Sequence, residues 1–457
     1  MNKIESMDFE GMEVLVLGLG MSGHSAARFC ADRGARVTAA DERTADELSA
    51  MSDLDALGPG VRVVCGQPFP DPAGFALTVP SPGIPPARYQ PSAQRVWGDI
   101  ELASRALSIP IVAVTGTNGK STTVRLIEAM LKAAGLRAEA AGNVGTPALS
   151  LPGKPLDVAV LEVSSFQLET IDSFRPKVAV ILNITPDHLD RHGDLAGYAR
   201  AKRRIFENQQ PGDVAVLDFD NEVVRALASE APAEVIPFCR GEPKILADHT
   251  RSAWIDLGAA VFSDNKTLRR VVLESGTGLP SHDRDNALAA FTAIWALGVD
   301  PLQASAALMD FSALPHRCEV VATRGDVTWV NDSKATNPGA AQRAIEGTEA
   351  PIIWIAGGRD KGLSYSELAQ AARRSVKTVL LIGEAAEQIE HALEGQIESE
   401  RCGDLETAVH RAAALSEPGD VVLLAPACAS FDQFKSFEDR GERFRAAVVR
   451  LGGAELL

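Results

Sequence analysis

Lys120, Ser121 and Thr122 directly follow Gly116, Thr117, Asn118 and Gly119 in the run I-V-A-V-T-G-T-N-G-K-S-T-T (111–123). These residue types handle polyphosphates. Glycines let backbone N–H groups approach phosphate oxygens, a lysine reaches the β and γ phosphates, and the neighbouring hydroxyl can hold Mg²⁺. The elements that must position them are legible on either side. Residues 111–114 are an apolar run expected to form a buried strand. Val124, Leu126, Ile127, Met130 and Leu131 recur at helical spacing, so a helix N-terminus adds its positive dipole to the loop. The glycines are closer together than in G-x-x-x-x-G-K-[ST], and Val114 stands where that pattern has its first glycine.

Two further strands are expected to end near this loop. Residues 157–162 end on Glu162, and 178–182 run into N-I-T-P-D-H-L-D-R-H (183–192). Ligands in open α/β sheets bind beyond the carboxyl ends of strands, so Glu162 is placed to bind Mg²⁺ and His188 to act at a second metal position. His188 and His192 are four apart, but no H-E-x-x-H occurs, Pro186 imposes a turn, and no third zinc ligand is evident. Asn143 lies in a turn (141–147) that can face a nucleotide. A helix expected over 195–208 carries Lys202 among Arg200, Arg203 and Arg204. Neighbouring cations and burial would depress its pKa, and a neutral amine can add CO₂ to become an anionic carbamate. An Ala-rich helix opening at residues 281–290 places His282 or Asn286 near a nucleotide base.

The first 108 residues hold a strand running into G-L-G-M-S-G (18–23), then a second strand ending at Asp41. An acidic residue about 20 positions beyond such glycines holds a ribose in dinucleotide folds. A second phosphate loop arrives before six strands fit, however, and Arg43 adds a cation beside Asp41. A smaller Rossmann-like module holding one nucleotide of a substrate fits better than an NAD-dependent oxidoreductase. V-P-S-P-G-I-P-P (79–86) is a rigid loop placed to line the same crevice. After L-P-H-R (314–317), strands are expected at 327–330, 352–356, 379–382 and 421–425. Their ends carry N-D-S-K-A-T-N (331–337), G-G-R-D-K-G (357–362) and P-A-C-A-S-F-D (426–432). Three polar loops at strand ends form a binding face, with Arg359 and Lys361 available for a carboxylate or phosphate.

Size and charge are consistent with this plan. A chain of 457 residues allows about three domains of roughly 150 residues each. The net charge of −16 argues against nucleic acid, which needs a basic face. No run of about 18 apolar residues is present to insert in a membrane. The six cysteines are scattered without C-x-x-C pairing and read as thiols of a reducing cytoplasm.

Taken together, T-G-T-N-G-K-S-T (115–122), L-E-V-S-S-F-Q-L-E (161–169), N-I-T-P-D-H-L-D-R-H (183–192), A-K-R-R-I-F-E-N (201–208), L-P-H-R, N-D-S-K-A-T-N and A-P-A-C-A-S-F-D-Q-F-K-S-F-E-D-R-G (425–441) resemble the ATP-dependent Mur ligases. Folylpolyglutamate synthases share the shortened loop. The resemblance spans the chain and implies an α/β protein of three domains. These are a Rossmann-like N-terminal domain (1–108), a central P-loop parallel-sheet ATPase domain (109–313) and a C-terminal Rossmann-like α/β domain (314–457). It implies a cytoplasmic enzyme of cell-wall peptidoglycan synthesis that uses ATP and two Mg²⁺ ions, with UDP-N-acetylmuramoyl-L-alanine and D-glutamate as substrates. A monomer is expected.

By motif position, the resemblance assigns Met21, Ser22, Asp41, Arg43, Ser81 and Gly83 to the uridine part and Asn143 to the substrate. It assigns the loop residues Gly116 to Thr122, with Asn286, Arg317 and Asp332, to ATP. Ser121 and Glu162 are implied for one Mg²⁺, with His188 and a carbamylated Lys202 for the other. Lys120, His188 and Lys202 are the catalytic residues on this basis. Lys334, Thr336, Lys361, Ser430 and Phe437 are implied around D-glutamate. One departure is His282-Asp283, where the family often reads His-Asn. An acid beside ATP needs a cation such as the adjacent Arg284.

Overall fold

The computed structural model describes residues 9–49, 53–143, 145–240, 246, 248–273, 283–309, 311, 314–393, 395–452 and 455–456. Three sheets organise them. The first contains β1 (Glu13–Leu17), β2 (Arg36–Asp41), β3 (Val61–Cys65) and β4 (Leu77–Pro80), all parallel, in the order β3-β2-β1-β4. Four strands are too few for the six-stranded dinucleotide arrangement.

The second sheet contains β5 (Ile111–Thr115), β6 (Ala138–Gly142), β7 (Val158–Glu162), β8 (Val178–Ile181), β9 (Val214–Asp218), β10 (Glu234–Cys239), β11 (Ser252–Asp256), β12 (Ala259–Ser263) and β13 (Leu268–Val272). The order is β13-β12-β11-β10-β9-β8-β5-β7-β6. It is parallel from β6 to β11 and then antiparallel through β12 and β13, so the expected parallel sheet carries an antiparallel extension at one edge. β5, β7 and β8 are buried along their whole length, which is why they read as continuous apolar runs instead of alternating ones.

The third sheet contains β14 (Glu319–Arg324), β15 (Val327–Asn331), β16 (Ile352–Gly357), β17 (Val376–Ile382), β18 (Glu398–Gly403), β19 (Val421–Leu424) and β20 (Glu455–Leu456), in the order β18-β17-β16-β19-β15-β14-β20. β15 to β18 and β19 pair in parallel, and β14 and β20 are antiparallel.

The chain divides into two compact units. One contains the first two sheets; the other contains the third sheet together with the short turn Thr185–Asp190. Within the first unit, helix Asp99–Ala106 ties the two sheets together. Buried Glu101 accepts the backbone N–H groups of Asp172, Ser173 and Phe174, and the Ser173 hydroxyl, at 2.7–3.1 Å. A buried carboxylate is tolerated only with such satisfaction. Among the described residues, no helix is long and apolar enough to cross a membrane.

Candidate active site

The phosphate loop follows β5 and ends where helix Lys120–Ala133 begins, with Gly119 as its N-cap at φ +86°. A Cβ on Gly119 would lie 2.2 Å from Oδ1 of Asn286, so only glycine lets that asparagine seat against the loop. Asn286 sits on helix Arg284–Ala296; the expected opening at Ser281 and His282 lies outside the described residues. Asn183, just past β8, holds the loop from the other side. Its carbonyl accepts Thr117 N–H at 2.7 Å, its Oδ1 accepts Asn118 N–H at 2.9 Å, and its Nδ2 donates to Asn118 O at 3.1 Å. Lys120 Nζ donates to Gly116 O at 2.8 Å and to Thr117 O at 3.0 Å. Ser121 and Thr122 are buried in the first helical turn.

Glu162 ends β7 opposite Val114 of β5, so its carboxylate emerges at the same sheet edge as the phosphate loop. It is 2% exposed, and its Oε1 accepts from Asn143 Nδ2 at 2.9 Å. Lys202, on helix Leu195–Arg203, is 1% exposed. Its Nζ donates to Gly116 O at 2.7 Å and lies 4.6 Å from the centre of the Tyr198 ring. The arginines beside it face elsewhere. Arg200 is exposed, Arg203 pairs with Glu230, and Arg204 pairs with Glu207 and donates to the carbonyls of Leu168 and Ile171. Burial, and not three bare cations, is therefore what distinguishes this lysine.

The histidine pair does not share a helix face. His188 is in a turn at φ +52°, whereas His192 bonds Ser165 Oγ at 3.0 Å and stacks on Phe166. Among the described residues, no three His, Cys, Asp or Glu side chains cluster as a metal site on their own. An ion here would rely on hydroxyl and phosphate oxygens, as Mg²⁺ on a nucleotide does, and Ser121 with Glu162 fits that donor set.

In the first sheet, Asp41 closes the glycine-rich loop. Its Oδ2 accepts Leu19 N–H at 2.7 Å and Arg43 Nη2 at 2.8 Å, and its Oδ1 accepts Arg43 Nε at 3.0 Å. Burial pushes the carboxyl pKa up, but the bonds from Arg43 and Leu19 outweigh it and hold it below the ordinary value. Ser81 Oγ donates to Gly18 O at 2.8 Å, bringing the proline-rich loop and its Gly83 to the same crevice. Met21 is exposed at the start of helix Met21–Ala31. The Ser22 side chain instead bonds buried Asp99, which also accepts from Gln167.

The second unit gathers the remaining positions around the third sheet. Cys318 N–H donates to Asp332 Oδ1 at 3.3 Å. Burial pushes the Cys318 thiol well up, as do Asp332 and Asp283, while Arg317 opposes them. Arg317, Asp332 and Asp283 thus all lie close to the Cys318 thiol. Lys334 Nζ lies 3.6 Å from the centre of the Phe437 ring. Thr336 is on the same loop, and Ser430 is buried in the loop after β19. Lys361 Nζ lies 3.1 Å from Asp187 Oδ1, whose other oxygen accepts from Asn337 Nδ2 at 3.2 Å.

Comparison with known proteins identifies the family. The model of the Mur ligase middle domain matches residues 114–294, and that of the Mur ligase, glutamate ligase domain matches residues 316–428. The UDP-N-acetylmuramoylalanine–D-glutamate ligase of Geobacter metallireducens is 42% identical over 98% of this chain and 100% of its own length. The corresponding ligase of Anaeromyxobacter dehalogenans is 43% identical over 96% of this chain and 97% of its own. The chain belongs to the Mur ligase family. Solved Mur ligases share the fold at low identity. The MurF ligase of Thermotoga maritima in complex with ADP aligns with a TM-score of 0.60 at 19% identity, covering 99% of this chain and 100% of that one. The UDP-N-acetylmuramate–alanine ligase of Thermotoga maritima aligns at 0.58 and 18%, covering 96% and 100%.

For this Mur ligase, motif reading missed the residues that hold others in place. Asn183 latches the phosphate loop and Asp187 engages Lys361. Both stand inside the N-I-T-P-D-H motif. For Asn183, a polar residue just past a buried apolar strand was the available signal.

Proposed function

We propose that this Mur ligase joins D-glutamate to UDP-N-acetylmuramoyl-L-alanine with ATP, through an acyl phosphate, releasing ADP and phosphate. The observation that carries the reading is full-length similarity, at 42% identity, to a UDP-N-acetylmuramoylalanine–D-glutamate ligase. The buried Lys202 amine on the phosphate-loop carbonyl of Gly116 supports it. Residues 1–108 would take the uridine nucleotide, 109–313 ATP and 314–457 the amino acid. A monomer working in the cytoplasm is part of this proposal.

A carboxylate is a poor electrophile, so activation must come first. The muramoyl-alanine carboxylate attacks the γ phosphorus, forming a C–O–P linkage as the bond to the β-phosphate oxygen breaks and ADP leaves. Lys120 and the loop N–H groups neutralise charge in that transfer. The amine of D-glutamate then attacks the activated carbonyl, loses a proton and expels phosphate. Lys334, Thr336, Lys361, Ser430 and Phe437 orient that amino acid, while Asn143 contacts the nucleotide-sugar substrate. Asn286, Arg317 and Asp332 hold the nucleotide. Metal-ligand roles are assigned to Ser121, Glu162, His188 and Lys202 as its carbamate, formed when the neutral amine adds CO₂ and releases a proton. Bound Mg²⁺ would neutralise phosphate charge.

Phosphate release from ATP with UDP-N-acetylmuramoyl-L-alanine, compared with D-glutamate, L-glutamate and no amino acid, tests the proposal. Release only with D-glutamate is expected. Release with L-glutamate alone would overturn the amino-acid assignment, and no release with either would overturn the function.

A further inference from the structure

Arg440 is 0% exposed, on helix Phe437–Arg450. Its guanidinium donates from Nε to Ser333 Oγ at 3.0 Å, and from Nη2 to Ser333 O at 2.9 Å and Cys428 O at 3.1 Å. Nη1 donates to Cys428 O at 3.2 Å and Ala429 O at 3.5 Å. All these acceptors are neutral, and among the described residues no carboxylate lies within ion-pair distance. Burial lowers its pKa to about 10, against the pull of Cys428, Asp432 and Asp332, so it remains charged at neutral pH.

A buried cation without a partner carboxylate is costly unless the fork of donors is fully used. Here the fork ties together the loops that carry the candidate amino-acid residues. Ser333 precedes Lys334 and donates through Oγ to Phe437 O at 2.8 Å; Cys428 and Ala429 precede Ser430. The third loop leans on the same point. Arg359 N–H donates to Ala429 O at 2.8 Å, and a Cβ on Gly358 would lie 2.3 Å from Ala429 O and 3.1 Å from Arg440 Nη1. Tyr365 Oη, which donates to Asp360 beside Lys361, also meets Cys428 Sγ at 3.2 Å.

We infer that Arg440 is the positioning residue for the amino-acid site. It sets the spacing of the loops bearing Lys334, Lys361, Ser430 and Phe437. This rests on the proposed reading of that face as the amino-acid site. A planar fork binding three carbonyls and a hydroxyl cannot be copied by an ammonium group, so lysine keeps the charge and loses the spacing.

The test measures KM for D-glutamate, ATP and the nucleotide-sugar in wild-type, Arg440→Lys and Ser333→Ala proteins, with thermal melts. Misplacing substrate-binding groups by an ångström costs up to about a hundredfold. Arg440→Lys is expected to raise KM for D-glutamate roughly ten- to a hundredfold, and Ser333→Ala by about threefold to tenfold, with the other two KM values within about twofold. Ser333→Ala carries the test if Arg440→Lys does not fold. Unchanged KM for D-glutamate in a folded variant, or a loss shared by all three KM values, would overturn the inference while leaving the function intact. Wild-type protein whose phosphate release ignores D-glutamate would overturn the functional reading itself, and the inference with it.

Discussion

The two glycine-rich loops share a strand–turn–helix frame, yet different groups close them. In the first, the strand-end Asp41 closes the turn and is matched by Arg43, so its negative charge is consumed locally and hydrogen-bonding capacity is what it offers. In the second, an amide, Asn183, does the closing, and two lysine amines, Lys120 and Lys202, converge on the carbonyl of Gly116. The same backbone grammar is thus closed by a charge-matched carboxylate in one place and by an amide beside two amines in the other. The side chains at the strand ends make the difference.

The sharpest way to break this contrast is to remove the charge from the second loop. Lys120→Ala is expected to lower kcat for phosphate release roughly 10²–10³-fold, the cost of losing one transition-state donor. Asp41→Asn, in the first loop, should instead raise KM for the nucleotide-sugar about tenfold, the worth of one charge-assisted hydrogen bond. Equal effects on the same kinetic constant would erase the distinction.

Lys202 comes next. Lys202→Ala should lower kcat about 10- to 100-fold, by analogy with disturbed metal-site partners, and added short-chain carboxylates should restore part of it. Full activity in the variant would remove the carbamate from the mechanism.

The smallest effect concerns stability. Asp218 ends β9, in the same sheet as the second loop, and burial, aided by Asp220 and Asp285, pushes its pKa from 3.8 to about 8. Arg240 is committed to Asp285. The folded state therefore keeps a proton that the unfolded chain releases near 3.8, and stability falls as pH rises from about 4 to about 8. Asp41 has the opposite sign: its contribution is present at neutral pH and is lost on acidification below its ordinary value of 3.8. Denaturant titrations across this range should show Asp218→Asn flattening the alkaline decline and gaining roughly 1–2 kcal/mol at pH 8. An unchanged pH profile would show that Asp218 is ionised in the folded protein.

The loop frames were legible because their causes are local. Residues 111–133 announce a buried strand, a glycine turn and an amphipathic helix, and β5 with helix Lys120–Ala133 follows that plan. The ends of the helix expected over 195–208 were less clear. It breaks after Arg203 into a short 3₁₀ turn, where Arg204 leaves to bond Leu168, Ile171 and Glu207. The antiparallel edge of the central sheet was not visible either, because β12 is nearly as buried as the parallel strands and carries no alternation to reveal it.

By itself, the sequence determined the residue types at each strand end, the turns that glycine permits and the net charge the substrates must overcome. Tertiary structure alone decided which partner each buried polar group meets. Lys202 reaches a carbonyl 86 residues away, Arg440 a serine 107 away and Lys361 an aspartate 174 away. The physical reason is that periodicity follows from backbone geometry over a few residues. A buried charge is satisfied by whichever donors and acceptors the strand order brings to its edge of the sheet, and that order is set by the packing of the whole chain.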